Sequence, residues 1–440
     1  MSSITLTQLP WLDRIRQTAT ERFREQGLPT TKLEAWRFTN IEPIKRVDFQ
    51  PAVSASPLPD SLRHWLDSIP FPRLVFVDGY LYQSGSSPSG RRWREAPDEG
   101  PHPPLGRPLP GGEGLAWALT DSPTAELLEA HLGRHADVSH HAFAAWNTAA
   151  FSDGAFINIP ANQIVSDPIY LVFISTAGSV PRVSFPRNLI IVGEGASVSF
   201  VEVFLSVTDG VHLTNAVTEI AAGPGAAIDY YKLAHEARGS YHFATVAASL
   251  GPDANLTAHS FSLGSALIRN ELRIALDGEG GQCALNGLFL ADGDRLVDNE
   301  TEIDHRKPHT TSRELYKGII GGRGQGVFNG AIVVRKDAQQ TNAVQHNKNL
   351  LLSEDARINT KPQLEIRADD VRCAHGASIG QIDQESLFYL RTRGLDESTA
   401  RRVLIRGFAA EILDGIRVPT VRQQCEGLLD EWFERQLEAA

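Results

Sequence analysis

The feature that most constrains how this chain can fold is a turn that keeps returning. Gly193-Glu-Gly-Ala-Ser-Val, Gly223-Pro-Gly-Ala-Ala-Ile, Gly251-Pro-Asp-Ala-Asn-Leu and Gly278-Glu-Gly-Gly-Gln-Cys start 30, 28 and 27 residues apart. Each opens a short run rich in Val, Ile, Phe and Thr, the residues that suit a pleated, half-buried surface. Gly321-Gly-Arg-Gly-Gln-Gly-Val-Phe and Ser353-Glu-Asp-Ala-Arg-Ile continue the series after 43 and 32 residues. A turn-plus-strand unit repeating every ~20–50 residues buries its apolar face only against the next unit, so such units stack. The spacing predicts a mainly β fold, with a right-handed parallel β-helix (a β-solenoid) over residues 150–383 as the first choice. A jelly roll or a propeller also yields many short strands, but the sharper ~40–50-residue signature of propeller blades is absent.

The flanks read differently. Trp11, Leu12, Ile15, Ala19 and Phe23 share one helical face, which Gly27 and Pro29 end. Leu74 to Val77 is a strand candidate closed by an Asp78-Gly79 turn. Residues 1–149 read as a helical and mixed region, interrupted at 84–114 by a stretch dense in Gly, Pro, Ser and Arg. That composition buries too little apolar surface to offset chain entropy, which predicts an exposed loop. From 384 to 440 the pattern returns to helix. Leu387, Phe388 and Leu390 precede Gly394, and Asp396 or Ser398 can cap a helix with Ala400, Val403, Leu404, Gly407, Phe408 and Ile412 on one face. Pro419 suits the first turn of a last helix that aligns Val421, Cys425, Leu428, Leu429, Trp432, Phe433 and Leu437.

Composition removes several function classes. The 440 residues carry 42 Lys and Arg against 53 Asp and Glu, a formal charge of −11, which argues against nonspecific contact with nucleic acid or anionic lipid. No apolar run nears the ~18 residues of a membrane-spanning helix. The first residues lack a basic start and an apolar stretch, so a cytoplasmic location is expected. Cys283, Cys373 and Cys425 are too few for a disulfide framework and too far apart for a metal knuckle. There is no Walker A loop and no complete GxGxxG before a helix, so energy from ATP would have to come from a partner.

Three constellations carry possible chemistry. Gly376-Ala-Ser378-Ile-Gly380 matches the hydrolase nucleophile elbow, but it ends a strand-rich region without the required strand, turn and helix, so Ser378 reads as a turn residue. Asp298, Glu300, Glu302 and Asp304 alternate along one strand, placing four carboxylates on one face. Such a ladder can hold calcium, and with Arg306 or Lys307 as base it fits a β-helix carbohydrate lyase; a solvated outer face is the favoured reading. Cys373 and His375 stand at i, i+2, which on a strand points a thiol and an imidazole to one side as ligands for iron, zinc or sulfur chemistry. Two ligands are not a site, and the rest would come from other coils or a second subunit. An edge-strand pair with no ligand is the alternative.

The run Ala338-Gln-Gln-Thr-Asn-Ala-Val-Gln-His-Asn-Lys-Asn-Leu-Leu-Leu-Ser353, with Pro362-Gln-Leu-Glu-Ile366 and Asp369-Asp-Val-Arg-Cys-Ala-His-Gly376, resembles the core of the SufB/SufD family of iron–sulfur cluster assembly proteins. Asp304-His-Arg-Lys-Pro-His-Thr-Thr-Ser312, Tyr316-Lys-Gly318, Leu387-Phe-Tyr-Leu-Arg-Thr-Arg-Gly394 and Leu404-Ile-Arg-Gly-Phe-Ala-Ala-Glu-Ile412 extend the resemblance over about residues 150–417. Gly27-Leu-Pro-Thr-Thr-Lys-Leu-Glu-Ala-Trp-Arg-Phe-Thr39 and the Cys-x-His-Gly run at Cys373 look like the SufD branch. The stretch Gln345-His346-Asn347 lacks the sulfur-accepting cysteine expected there in SufB. The resemblance implies a right-handed β-helix with helical ends and a non-catalytic scaffold role in the SUF machinery. It implies a heterodimer with SufB through the β-helices, docking of the SufC ATPase on the C-terminal helices, and a homodimer as an option when SufB is absent. No permanently bound cofactor is expected, but a transient iron–sulfur cluster or iron would sit at the SufB interface. His375, and less strongly Cys373, would face that cargo; Leu390, Leu404, Phe408 and Ile412 are the corresponding SufC-docking candidates.

Overall fold

The computed structural model of the protein describes residues 9–69, 72–85, 115–119 and 125–438. Its centre is a parallel β-solenoid of about eight turns. Consecutive strands alternate between two sheets, one eleven-stranded and one ten-stranded, and each strand pairs in parallel with the strand two places on. The first coil is Ala155–Ile159 with Ile169–Ser175; the last is Arg357–Ile366 with Val371–Gln381. The recurring turns are the corners. Gly195, Gly225 and Gly280 occupy the left-handed region at matching corners, with φ between 63° and 72°, and Asp253, His309 and Gln340 take the same conformation at φ 55°, 58° and 59°; the turns at Gly321 and Ser353, which the spacing placed in this series, lie at the opposite corner of the coil. Glycine adopts it without penalty, and a short polar side chain tolerates it, so the corner residue is selected by backbone sterics.

Because stacked strands run in register, residues of successive coils line up in columns. One interior column reads Phe200, Tyr230, Ala258, Leu285, Glu314, Gln345 and His375. The early coils are filled by apolar side chains such as Phe200, Ile228, Leu256 and Leu285. The same column turns polar in the last three coils. Glycine makes room where a large interior side chain meets its neighbour: a Cβ on Gly287 would lie 2.2 Å from the Tyr316 ring.

The two ends of the solenoid differ. At the N-terminal end Arg73–Val77 joins the ten-stranded sheet beside Ile169–Ser175, and Tyr80–Gly85 folds back antiparallel against it through a turn at Asp78 and Gly79, both at positive φ. Ala116–Ala118 closes the other sheet, also antiparallel. At the C-terminal end Arg357–Ile366 and Val371–Gln381 are the outermost strands of their sheets, each paired on one side. An edge of this kind offers a row of unpaired backbone donors and acceptors, and Pro362 is in the place where a sheet tolerates proline.

Helices cover both outer faces. The first, Pro10–Gln26, buries Trp11, Leu12 and Ala19 and stops at Gly27, φ 62°. The segment around Glu34–Trp36 lies on the eleven-stranded sheet, where Trp36 stacks on Phe143 at 5.5 Å and Phe143 on Phe243 at 3.7 Å. The C-terminal helices Gln384–Thr392, Glu397–Leu413 and Pro419–Glu438 cover the ten-stranded sheet, packing Ile405, Ile412, Leu429 and Trp432 against Tyr231, Leu233, Leu288 and Ile319. Asp383 and Asp396 cap the first two, accepting from the Ser386 and Thr399 amides at 2.9 Å each.

Two expectations need correcting. Ser378 is in the extended edge strand Val371–Gln381 and not in a turn, so the elbow pentapeptide has neither the strained turn nor the following helix. The buried face of Glu397–Leu413 is Ala400, Ile405, Ala409, Ile412 and Leu413, with Val403 45% exposed. Apolar residues occur around most of that helix, and spacing alone does not select the stripe that meets the sheet. The stretch 84–114 lies, from residue 86 onward, outside the described residues.

Candidate functional site

His375 and Cys373 are on the outermost strand of the ten-stranded sheet, in register with Gln345 and Ala343 of the coil below. Both are on the interior side of their strand, at the mouth of the solenoid. No coil follows, so His375 is exposed, whereas Cys373 is half-buried against the cluster of Ile332, Val334, Ala338 and Ala343. That burial pushes the Cys373 thiol up from its ordinary value, partly opposed by a backbone hydrogen bond at Ala343. A thiol held protonated is a poorer nucleophile and ligand than a thiolate. Cys283 and Cys425 are fully buried and pushed further up for the same reason, which makes them inert packing residues.

Beneath His375 the interior is polar and poorly satisfied. Gln345 Nε2 donates to Glu314 Oε2 at 2.7 Å, and Asn347 Nδ2 donates to the Tyr316 carbonyl at 3.2 Å. Glu314 is completely enclosed with no cation beside it, and burial pushes its carboxyl up to about 7. The remaining Oε1 of Glu314, Oε1 of Gln345, Oη of Tyr316 and Oδ1 of Asn349 have no hydrogen-bond partner within the protein. Buried polar groups this concentrated usually meet ordered water. The period-two pattern Ser312, Glu314, Tyr316 held the signal, since it places polar side chains on the face that earlier strands fill with Leu and Phe.

The acidic ladder has a different arrangement from a cation site. Asp298 is buried against the Arg269 guanidinium and accepts from Thr39 Oγ1 at 2.5 Å. Glu300 lies 3.4 Å from Arg269 and accepts from Asn329; Glu302 pairs with Arg273 at 2.8 Å; Asp304 accepts from Arg306 at 2.7 Å and Arg335 at 2.8 Å. An arginine ladder on neighbouring strands answers the carboxylates one by one, so the calcium-lyase reading loses its free ligands. Among the described residues no three His, Cys, Asp or Glu side chains gather as a metal set.

On the C-terminal helices, Leu390, Leu404 and Phe408 are half-buried in the cluster that joins helix to sheet, and Ile412 is 3% exposed within it. Lys317 Nζ stands 4.7 Å from the Phe408 ring centre and donates to the Phe408 carbonyl at 2.8 Å. These side chains hold the helices on the solenoid. The large apolar side chains facing outward on these helices are Phe388 at 68% exposure, Tyr389 and Val403, none of them among the docking candidates that the resemblance implied. No helix among the described residues is long and apolar enough to cross a membrane.

The model of the SufBD core domain of the SUF system for iron–sulfur cluster assembly matches residues 173–408, and that of the SufBD N-terminal region matches residues 1–64. The chain belongs to the SufBD family. It is 34% identical to the iron–sulfur cluster assembly protein SufD of Escherichia coli over 90% of this chain and 88% of that one. It is 31% identical to a SufBD family protein of Synechocystis over 93% and 89% of the two chains, and 25% identical to SufD of Bacillus subtilis over 96% and 93%. The matched core spans the whole polar end of the solenoid and most of the helix Glu397–Leu413.

Proposed function

We propose that this chain is a non-catalytic scaffold subunit of the SUF machinery, which pairs through the open end of its solenoid with a SufB-type partner. The observation that carries this reading is the asymmetry of the ends. The N-terminal edges are closed by antiparallel strands, whereas the C-terminal edges are left one-sided with His375 at the mouth. A partner solenoid placed there would continue the sheets or cover their ends. His375 then serves as one ligand for iron or a nascent cluster, with the other ligands supplied by the partner, because His375 and Cys373 alone are too few. Cys373, half-buried and protonated, is the weaker contributor.

The C-terminal helices are the proposed dock for the SufC ATPase, with Leu390, Leu404, Phe408 and Ile412 shaping the helical platform and Phe388, Tyr389 and Val403 as its outward contacts. The family membership and the exposed apolar side chains support this assignment. The test is co-expression with SufB and SufC, followed by anaerobic iron and sulfide analysis. His375→Ala is expected to leave the complex intact and to lose cluster formation; full cluster content in that variant would remove His375 from the site. Replacement of Phe388 and Tyr389 by Glu is expected to release SufC without unfolding the chain.

A further inference from the structure

A second concave site lies away from the open end. Between the outer face of the ten-stranded sheet, the helix Asp60–Ser68 and the helix Pro419–Glu438 is a cavity of about 660 Å³, within the range of small-molecule sites. One wall is an apolar shelf of Trp65, Val203, Leu205, Leu233 and Leu428. The same lining brings together Arg238, Arg295 and Arg435 with the imidazole of His235. Arg295 is nearly buried and paired with Asp292, but its neighbours Arg238 and Arg435 repel it, and both lack a salt-bridge partner among the described residues. Burial and the nearby Arg435 and Arg295 hold His235 below its ordinary value, so it stays neutral at neutral pH. Gln424 also lines the cavity, and its Oε1, buried beside it, has no hydrogen-bond partner within the protein.

Three acidic side chains share the lining. Glu236 is already engaged by Thr214, His212 and His242, the last at 2.7 Å. Asp209 and Glu431 are exposed at the rim. Two unpaired guanidinium groups gathered around a third, next to an apolar shelf, can hold the oxygens of a carboxylate or phosphate attached to an apolar body. We propose that this cavity binds a small organic anion, an apolar or aromatic body bearing a phosphate or carboxylate. Arg238, Arg295 and Arg435 hold the anion, and the Trp65 to Leu428 shelf holds the body. The site is independent of the cargo site at His375.

The test is calorimetric titration of the full chain with 1-naphthyl phosphate, 1-naphthol and inorganic phosphate. The expected result is one saturable site for 1-naphthyl phosphate, bound at least about tenfold more tightly than either fragment. Arg238→Glu and Arg435→Glu, both at exposed positions and checked for unchanged helix content, are each expected to weaken it by about tenfold or more. Arg22→Glu, on the N-terminal helix far from the cavity, is expected to change nothing. Absence of saturable binding, equal affinity for inorganic phosphate, or loss of binding in Arg22→Glu to the same degree would overturn the proposal.

Discussion

The enclosed carboxyl of Glu314 makes a prediction that tests the account of the solenoid interior. Burial without a cation raises this group from an ordinary value of 4.5 to about 7, so the folded chain holds the proton more tightly than the unfolded one. The sign follows from linkage: the folded state is favoured at low pH, stability falls as pH rises above 4.5, and the loss is complete above about 7. At 1.36 kcal/mol per unit, the full penalty is about 3 kcal/mol, most of which develops between about pH 5 and pH 8.5. Glu314→Gln keeps the shape and an acceptor for Gln345 while removing the titration. Urea unfolding of both proteins at the two pH values isolates the group, because every other titration cancels in the difference. The variant is expected to lose about 2–3 kcal/mol less than the parent on going to the higher pH. Equal losses would mean that Glu314 ionises freely, through water or a cation in the mouth, and the desolvated interior described above would be wrong.

The remaining predictions use the same measurements. Ile412→Ala removes a side chain enclosed between helix and sheet and is expected to cost about 2–5 kcal/mol in urea unfolding. Gly287→Ala drives a Cβ into the Tyr316 ring and is expected to cost about 1–3 kcal/mol, most of it recovered by adding Tyr316→Ala. Arg269→Ala strands the buried carboxylates of Asp298 and Glu271 and is expected to cost about 3–5 kcal/mol, visible as a lower denaturant midpoint.

The periodic part of this structure was legible in the sequence for a definite reason. A corner that must adopt positive φ accepts few residues, so Gly195, Gly225, Asp253 and Gly280 leave a mark at nearly constant spacing. That His375 and Cys373 share one side of their strand was legible through strand alternation, and Asp396 was one of two cap candidates that residue type offered before the helical spacing begins. What the sequence could not settle depends on contacts between distant segments. The four carboxylates from Asp298 to Asp304 look like an unpartnered ladder until stacking brings Arg269, Arg273, Arg306 and Arg335 alongside. The helix Glu397–Leu413 has apolar residues on several sides, and only the sheet it lands on decides that Ile405 and Ile412 are covered while Val403 is not. The cavity beside Arg295 draws its lining from six stretches of chain and has no linear signature.

The placement of the helices decides which coils bear a load applied to the C-terminal end. Glu411, on the helix Glu397–Leu413, takes Lys317 at 2.6 Å and Lys348 at 3.2 Å. Those lysines belong to Thr311–Ile320 and Thr341–Leu351, the two strands directly below the one that carries His375. Lys317 also reaches the Phe408 carbonyl, so the same helix is fixed to the last coils at more than one point. A force applied to that helix is therefore shared between the coils reached by Lys317 and Lys348 and the middle coils, where Ile412 packs beside Tyr231 and His259. Exposed ion pairs such as Lys348 with Glu411 hold weakly, typically by less than about 1 kcal/mol, whereas Ile405 and Ile412 are enclosed in the apolar contact. Under load the Lys348 pair would yield first, while Lys317, only 5% exposed, and the enclosed contact of Ile405 and Ile412 with Tyr231 and Leu288 would keep the helix seated on the middle coils.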